Sequence, residues 1–258
     1  MKKAHLSFSE LKTWSECPHR HKLDYLDKLR VFKGNEYTAF GKAIHAVGEK
    51  FVFEADADEV EEFETNFLYE LKLLKQEDKD IVFNEKLIQE MRPQGAKIAP
   101  EMIPALKEHF GPYEVVSAEE ELYEPLTHPG MKFKGFIDLV IKVDETYHIL
   151  DWKSCSWGWD ARKKADRILS YQLTLYKHFY AIKHNIDPAN IQTHFALLKR
   201  TAKSKPIEIF EIKCGTKKTN NALKLLDTFI YNVNKGNHIK NRLSCGKYCP
   251  YVNTKHCA

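Results

Sequence analysis

Residues 135–154 read GFIDLVIKVDETYHILDWKS, and the period of this stretch decides the fold. Apolar residues occupy both faces on either side of a turn signal at Asp144-Glu145, which predicts a hairpin of two buried strands. A turn centred there sets Asp138 opposite Asp151. Cross-strand partners hold their Cβ atoms roughly 4.5–5.5 Å apart, where two carboxylates repel unless a cation or a shared proton intervenes. A hard divalent metal meets that need through oxygen ligands. The two-residue period of a strand places Lys153 on the face of Asp151 and turns Trp152 the other way. Phe136, Ile137, Leu139 and Val140 surround Asp138, and Ile149 and Leu150 precede Asp151, so an unpaired charge at either place would be costly. Two carboxylates and an ammonium on one face suit metal-assisted hydrolysis of a phosphodiester. The metal activates water and offsets charge, and the lysine orients the nucleophile or meets developing negative charge.

Outward from the hairpin, YEVVSAEEELYEPL (113–126) and MKFKGFIDLVIKV (131–143) read as strands. After the hairpin come a helix over about 160–185, a strand pair NIQTHFALLK (190–199) and PIEIFEIK (206–213) across a basic loop, and a helix over about 217–234. A strand after a helical crossover can lie parallel to an earlier one, which implies a mixed sheet. Upstream, Ser7 or Ser9 can cap a first helix interrupted at Cys17-Pro18. Phe40, Ile44, Val47 and Phe51 mark a second over about 37–53. Residues 54–64 hold seven acids in eleven positions, a solvated helix face that would repel nucleic acid. Residues 65–91 read as continuing helix, and 92–112 as connections around one short helix. The fold class expected is α/β (α+β), a mixed central sheet flanked by helices. One domain is expected, with a helical part (1–112), a sheet core (113–213) and a C-terminal helix and tail (214–258).

With 258 residues, 43% hydrophobic and 29% charged, the chain is a globular protein rather than a collagen-like, mucin-like or wholly disordered one. Its formal charge of +4 is only a mild bias toward polyanions. No apolar run approaches the roughly 20 residues of a membrane span, and MKKAHLSFSELKTW lacks a signal-type apolar region. A cytoplasmic protein is expected, and in that reducing compartment six cysteines point to metal ligation or burial rather than disulfides. Cys155 and Cys214, in strand contexts, are expected to be small buried residues.

These residues resemble the PD-(D/E)XK nuclease superfamily, and within it the RecB-like branch. Asp138 in GFID matches the first motif acid, and Asp151-Trp152-Lys153 matches the (D/E)XK element. Gly41-Lys-Ala-Ile-His45 is similar to the helix whose histidine adds a metal ligand, and Gln172-Leu-Thr-Leu-Tyr176 to the QxxxY signature. The apolar stripe Phe40, Ile44, Val47 puts His45 at a buried helix edge, where an imidazole wants a partner. Gln172 and Tyr176, four apart, share a helix face. The resemblance implies that His45, Asp138, Asp151 and the Trp152 carbonyl hold Mg²⁺ or Mn²⁺. It also implies that Lys153 assists the attacking water and that Gln172 and Tyr176 position nucleic acid and complete the active site.

Cys17 precedes this core, and Cys245, Cys249 and Cys257 follow it. In RecB-like nucleases such as the AddB nuclease domain and the CRISPR adaptation nuclease, cysteines so placed hold a 4Fe-4S cluster, which the resemblance implies here. The last three cysteines are usually separated by two and five residues, whereas here the gaps are three and seven. Zinc is the alternative, held by the four thiolates or with His256 replacing one of them.

Basic residues gather at Arg162, Lys163, Lys164 and Arg167 and again at Lys199, Arg200, Lys203 and Lys205, beside the carboxylate pair, where they can contact phosphates without reading sequence. Trp157 and Trp159 can stack on bases or pack in the core. The function expected is a metal-dependent DNA nuclease, an exonuclease acting on DNA ends or single strands. The alternative is a nucleic-acid binding or recruitment subunit that keeps the fold without catalysis. DNA is the expected partner, with a recombination, replication or CRISPR-adaptation protein beside it and no membrane.

Overall fold

Strand pairing follows the hairpin. A computed structural model describes residues 4–29, 32–54, 58–246 and 249–257. The elements run β1 (His5–Ser7), α1 (Phe8–Glu16), α2 (Pro18–His21, extended by a π-helical turn), α3 (Glu36–Phe51), α4 (Glu59–Glu77), α5 (Glu85–Ile98) and α6 (Met102–Phe110). They continue as β2 (Glu114–Pro125), β3 (Lys132–Val143), β4 (Thr146–Cys155), α7 (Ala161–Lys164), α8 (Arg167–His184), β5 (Ile191–Lys199), β6 (Ile207–Glu211) and α9 (Thr216–Asn234). The strand order is β1-β3-β4-β5-β6, with β2 also paired to β3. β3 and β4 are antiparallel, β4 and β5 parallel across α8, and β5 and β6 antiparallel. This is the mixed sheet flanked by helices that the sequence predicts.

The chain divides into two compact units, one of Met1–Lys33, Tyr123–Gly135 and Thr216–Ala258, the other of Gly34–Leu122 and Phe136–Gly215. In the first, the Ser7 side chain caps α1 by accepting the Glu10 N–H, and β1 lies parallel to the first residues of β3. Cys17 leaves helical geometry to end α1, and Pro18, which has no N–H to satisfy, starts α2. Trp14 and His21 pack edge-on against Phe229 of α9, and the buried His21 bonds Glu10 at 2.7 Å.

In the second unit, Asn35 and Thr38 form a capping box that starts α3. Phe40, Phe63 and Phe67 are fully buried against one another, and each such burial contributes roughly 1.5–3 kcal/mol. Gly95 lets α5 close on this cluster, since a Cβ there would lie 2.0 Å from the Phe63 ring. Leu139, Ile141, Leu150 and Trp152 line the sheet side of the same core, so Trp152 does point away from its neighbours Asp151 and Lys153.

Three expectations need correction, and one strand was not foreseen. The helix predicted over 65–91 is two helices, because Asp78 turns out of α4 and accepts the Asp80 N–H while Asn84 caps α5 through the Leu87 N–H. Residues 92–112 are mostly helical, as α5 continues through Pro93 at the loss of one helical hydrogen bond and α6 follows. The helix over 160–185 breaks at Asp166, whose carboxylate accepts the Ile168 and Leu169 N–H groups and starts α8 anew. β1, at three residues, is too short for periodicity to reveal. Within the acidic run, Asp58 caps α4 and Glu59, Glu61 and Glu62 fill its first turn, where the helix dipole favours them. Residues 55–57 of that run lie outside the described residues.

Candidate active site

The β3–β4 ladder pairs Val143 with Thr146 and runs back to Leu139 with Leu150, so the next residues outward are Asp138 and Asp151. There the two strands are also joined by a side chain: the Trp152 N–H donates to Asp138 Oδ2 at 2.7 Å. His45, from α3, brings its Nδ1 to 3.5 Å from the same oxygen. Lys153 Nζ lies 2.5 Å from Asp151 Oδ2. From α8, Gln172 Nε2 donates to Asp151 Oδ1 at 2.7 Å and reaches the Tyr176 hydroxyl at 3.2 Å. All six side chains belong to the second unit. Asp151 is 1% exposed and Asp138 8%, while the side chains of His45 and Lys153 are 26% and 28% exposed. The acids form the floor, and the two basic groups face the opening.

Burial and the neighbouring Asp138 push the Asp151 carboxyl up to about 6, with Lys153 opposing them. Burial also opposes ionisation of Asp138, yet His45, Lys153 and the Trp152 N–H outweigh it and hold that carboxyl below its ordinary value. For His45 and Lys153 burial favours the neutral forms, and the facing carboxylates overcome it, raising both. The site is therefore a buried pair of acids asking for positive charge. Among the described residues no three His, Cys, Asp or Glu side chains stand in a ready metal-ligating arrangement. The donor types still fit a divalent ion: two carboxylates of opposed protonation tendency and an imidazole bear on one another, and Asp151 has one ammonium and one amide against it.

Sequence reasoning missed Glu49 and Glu119. Glu49 lies one helical turn beyond His45 on α3, and burial with the facing Glu119 of β2 pushes it up to about 8, so Glu49 keeps its proton at neutral pH. The four-residue spacing from His45 was the available signal for Glu49. Glu119 carried none, being one of three consecutive glutamates.

The basic residues separate. Arg162 and Lys163 are exposed, with Lys163 Nζ 4.8 Å from the Trp159 ring centre. Lys164 and Lys199 both pair with Glu208. Arg200 is not a surface group: it is 9% exposed, donates to Gln94 and Ser156 at 3.1 and 3.2 Å, and stacks over Tyr37. Its apolar neighbours and its own hydrogen bonds draw it inward from the basic loop. Cys214 is buried against the Thr174 and Thr193 hydroxyls, and Cys155 is half-buried.

In the first unit, Cys17, Cys245, Cys249 and Cys257 line one pocket with Arg20 and Tyr251. Desolvation and the three other sulfurs hold the Cys245 thiol above its ordinary value. The tail is fastened to the N-terminal helices by Tyr251 Oη donating to Asp24 at 2.6 Å, Asn241 Nδ2 donating to Glu16 O at 2.8 Å, and a bond between His19 Nε2 and His256 O at 2.9 Å.

A scan against family models matches residues 5–254 to the PD-(D/E)XK nuclease superfamily. The chain belongs to the PD-(D/E)XK nuclease superfamily. Members of this superfamily generally use Mg²⁺ or Mn²⁺. Among solved structures, a crystal structure from Eubacterium rectale described as a "Putative exonuclease" shares the fold, with a TM-score of 0.59 at 14% identity over 97% of this chain and 88% of that one. The crystal structure of SSO0001 matches with a TM-score of 0.44 at 12% identity over 97% and 85% of the two chains. No curated protein matches. Among the described residues of this PD-(D/E)XK chain, no helix is long and apolar enough to cross a membrane.

Proposed function

We propose that this PD-(D/E)XK nuclease is of the RecB-like branch and hydrolyses DNA with Mg²⁺ or Mn²⁺, working as an exonuclease on ends or single strands. One observation carries the reading: Asp151, Lys153, Gln172 and Tyr176 form one bonded set, and Asp138, with His45 beside it, is tied to that set through the Trp152 N–H. His45, Asp138, Asp151 and the Trp152 carbonyl would hold the ion. When bound, it would offset the paired carboxylates and the phosphate charge and lower the pKa of water so that hydroxide is available to attack. Lys153, which keeps its proton against Asp151, orients that water or meets the charge that develops on the phosphate. Gln172 fixes the rotamer of Asp151. Tyr176, held protonated by burial and the nearby carboxylate, presents a hydroxyl donor. Arg162 and Lys163, exposed beyond Lys153, are placed to meet backbone phosphates, and Lys164 and Lys199 would exchange Glu208 for phosphate. A cytoplasmic setting with a recombination, replication or CRISPR-adaptation partner goes with that branch.

The test is end-labelled single-stranded and duplex DNA incubated with Mg²⁺, Mn²⁺ or EDTA. Shortening from an end with either metal and none with EDTA is expected. Binding without metal-dependent cleavage would instead leave a recruitment subunit on a nuclease fold.

The cysteine pocket supports a second part of the proposal, a 4Fe-4S cluster held by Cys17, Cys245, Cys249 and Cys257. Protein purified without oxygen should be brown and carry about four irons per chain. Cys17→Ser should bleach it and lower the melting temperature, because cluster binding is coupled to folding. A colourless protein with stoichiometric zinc would replace iron by zinc in the same thiolates.

A further inference from the structure

The loop that leaves β4 for α7 is anchored on both flanks. Arg200 N donates to Cys155 O at 2.9 Å, and the Thr201 N–H and hydroxyl donate to Ser156 O at 2.8 and 2.9 Å. Beyond it, Trp159 packs edge-on against Phe195, and Asp160 caps α7 through the Lys163 N–H. Gly158 turns between them at φ 119°, a conformation L side chains rarely adopt, and a Cβ there would press Lys199 at 3.3 Å. Held in this frame, Trp157 is 78% exposed. The other three tryptophans are buried or half-buried, so the fold finds shelter for indoles everywhere except here. An anchored loop that leaves so large an apolar surface in water gains nothing for the core.

Its position supplies a use. Trp157 follows Lys153 by four residues, a reach of at most about 14 Å along the chain, and a single strand advances by roughly 3.4 Å per stacked nucleotide. Bases within a few nucleotides of a phosphate held at Lys153 fall within that reach, and exposed Arg162 and Lys163 lie just beyond the loop. We propose that Trp157 is a stacking platform for an unpaired base within a few nucleotides of the scissile phosphate, which makes single-stranded DNA the preferred substrate. This rests on the nuclease reading given above. A duplex buries its base faces in its own stack and cannot use such a platform along its length.

Binding in EDTA of a labelled single strand, the same strand with abasic residues, and a blunt hairpin duplex, to wild type, Trp157→Ala and Trp157→Phe, separates the possibilities, with cleavage measured in parallel. Trp157→Ala should weaken single-strand binding about 5- to 150-fold, the range of one base–aromatic stack. It should leave the abasic strand and duplex within about twofold, and Trp157→Phe should recover most of the loss. Equal binding and cleavage of single strands by wild type and Trp157→Ala would overturn the platform. An equal loss on normal and abasic strands would overturn it too. A wild type that binds through Trp157 but cleaves nothing would remove the nuclease reading and leave the platform standing.

Discussion

Asp151→Asn is expected to cut metal-dependent cleavage by at least about 10³-fold, as loss of an electrostatic group acting on the transition state does, with a melting temperature at or above that of wild type. The carboxyl sits near 6 in the folded chain, above its ordinary value of 3.8. A carboxyl raised on folding lowers stability as pH climbs from the unfolded value through the folded one, and that cost is fully present at pH 7.5. An asparagine removes the cost, keeps an oxygen for Gln172, which donates to Oδ1, and leaves the Lys153 ammonium facing the remaining carboxylate of Asp138. Lys153→Ala should lose cleavage to the same degree with the opposite effect on stability, since it strips Asp151 of its cation and leaves burial and Asp138 acting on it. Single-turnover cleavage and thermal melts of both variants at pH 7.5 decide the matter. An Asp151→Asn protein that keeps a tenth of the activity, or that melts below Lys153→Ala, would refute the assignment. Opposite stability signs at equal activity loss are the mark of a site that the fold tolerates for function.

How much of this was legible depended on how local the determinant was. The meeting of Asp138 and Asp151 could be read directly, because the turn of a hairpin fixes its register, and a turn at Asp144-Glu145 sets those two residues opposite each other. The parallel placement of β5 followed from the crossover helix. Helix ends at Asp78 and Asp166 were lost because an aspartate that bonds its own backbone competes with the helix only when the local geometry permits it, which composition does not show. Arg200 read as a surface charge within a basic loop, and only tertiary partners on α3 and α5 explain its burial. Glu49 and Glu119 come from a helix and a strand far apart in the chain, and their facing one another is a product of packing alone. The convergence of four cysteines from both chain ends rested on resemblance, since spacing alone leaves many pairings open.

The far end of β4 and β5 carries the second large effect, a loss of stability in acid. His148 Nδ1 and His194 Nε2 lie 3.0 Å apart, both buried, with Phe110 packed on the two rings and the His109 ring 5.9 Å from that of His194. Glu211 of β6 pairs with His194 across the ladder, and its charge acts on His148 against burial and His109. Burial, then His148 and His109, push His194 down to about 3, and burial lowers His148 and His109 as well. An imidazole depressed on folding keeps its full stability contribution above the unfolded value near 6.5 and loses it as pH falls toward the folded one, because the unfolded chain takes up the proton first. For His194 alone the loss between pH 7 and pH 5 is about 2 kcal/mol, a large share of the roughly 5–15 kcal/mol that holds a domain together. Urea unfolding at pH 5, 6 and 7 should show that contribution as a decline relative to His194→Phe, because the raised carboxyls of Asp151 and Glu49 gain stability over the same fall in pH in both proteins. His194→Phe, which substitutes a ring of similar size at a 3% exposed position, should lack that contribution. If the variant and wild type change stability in parallel across this range, the histidine pair is not what titrates.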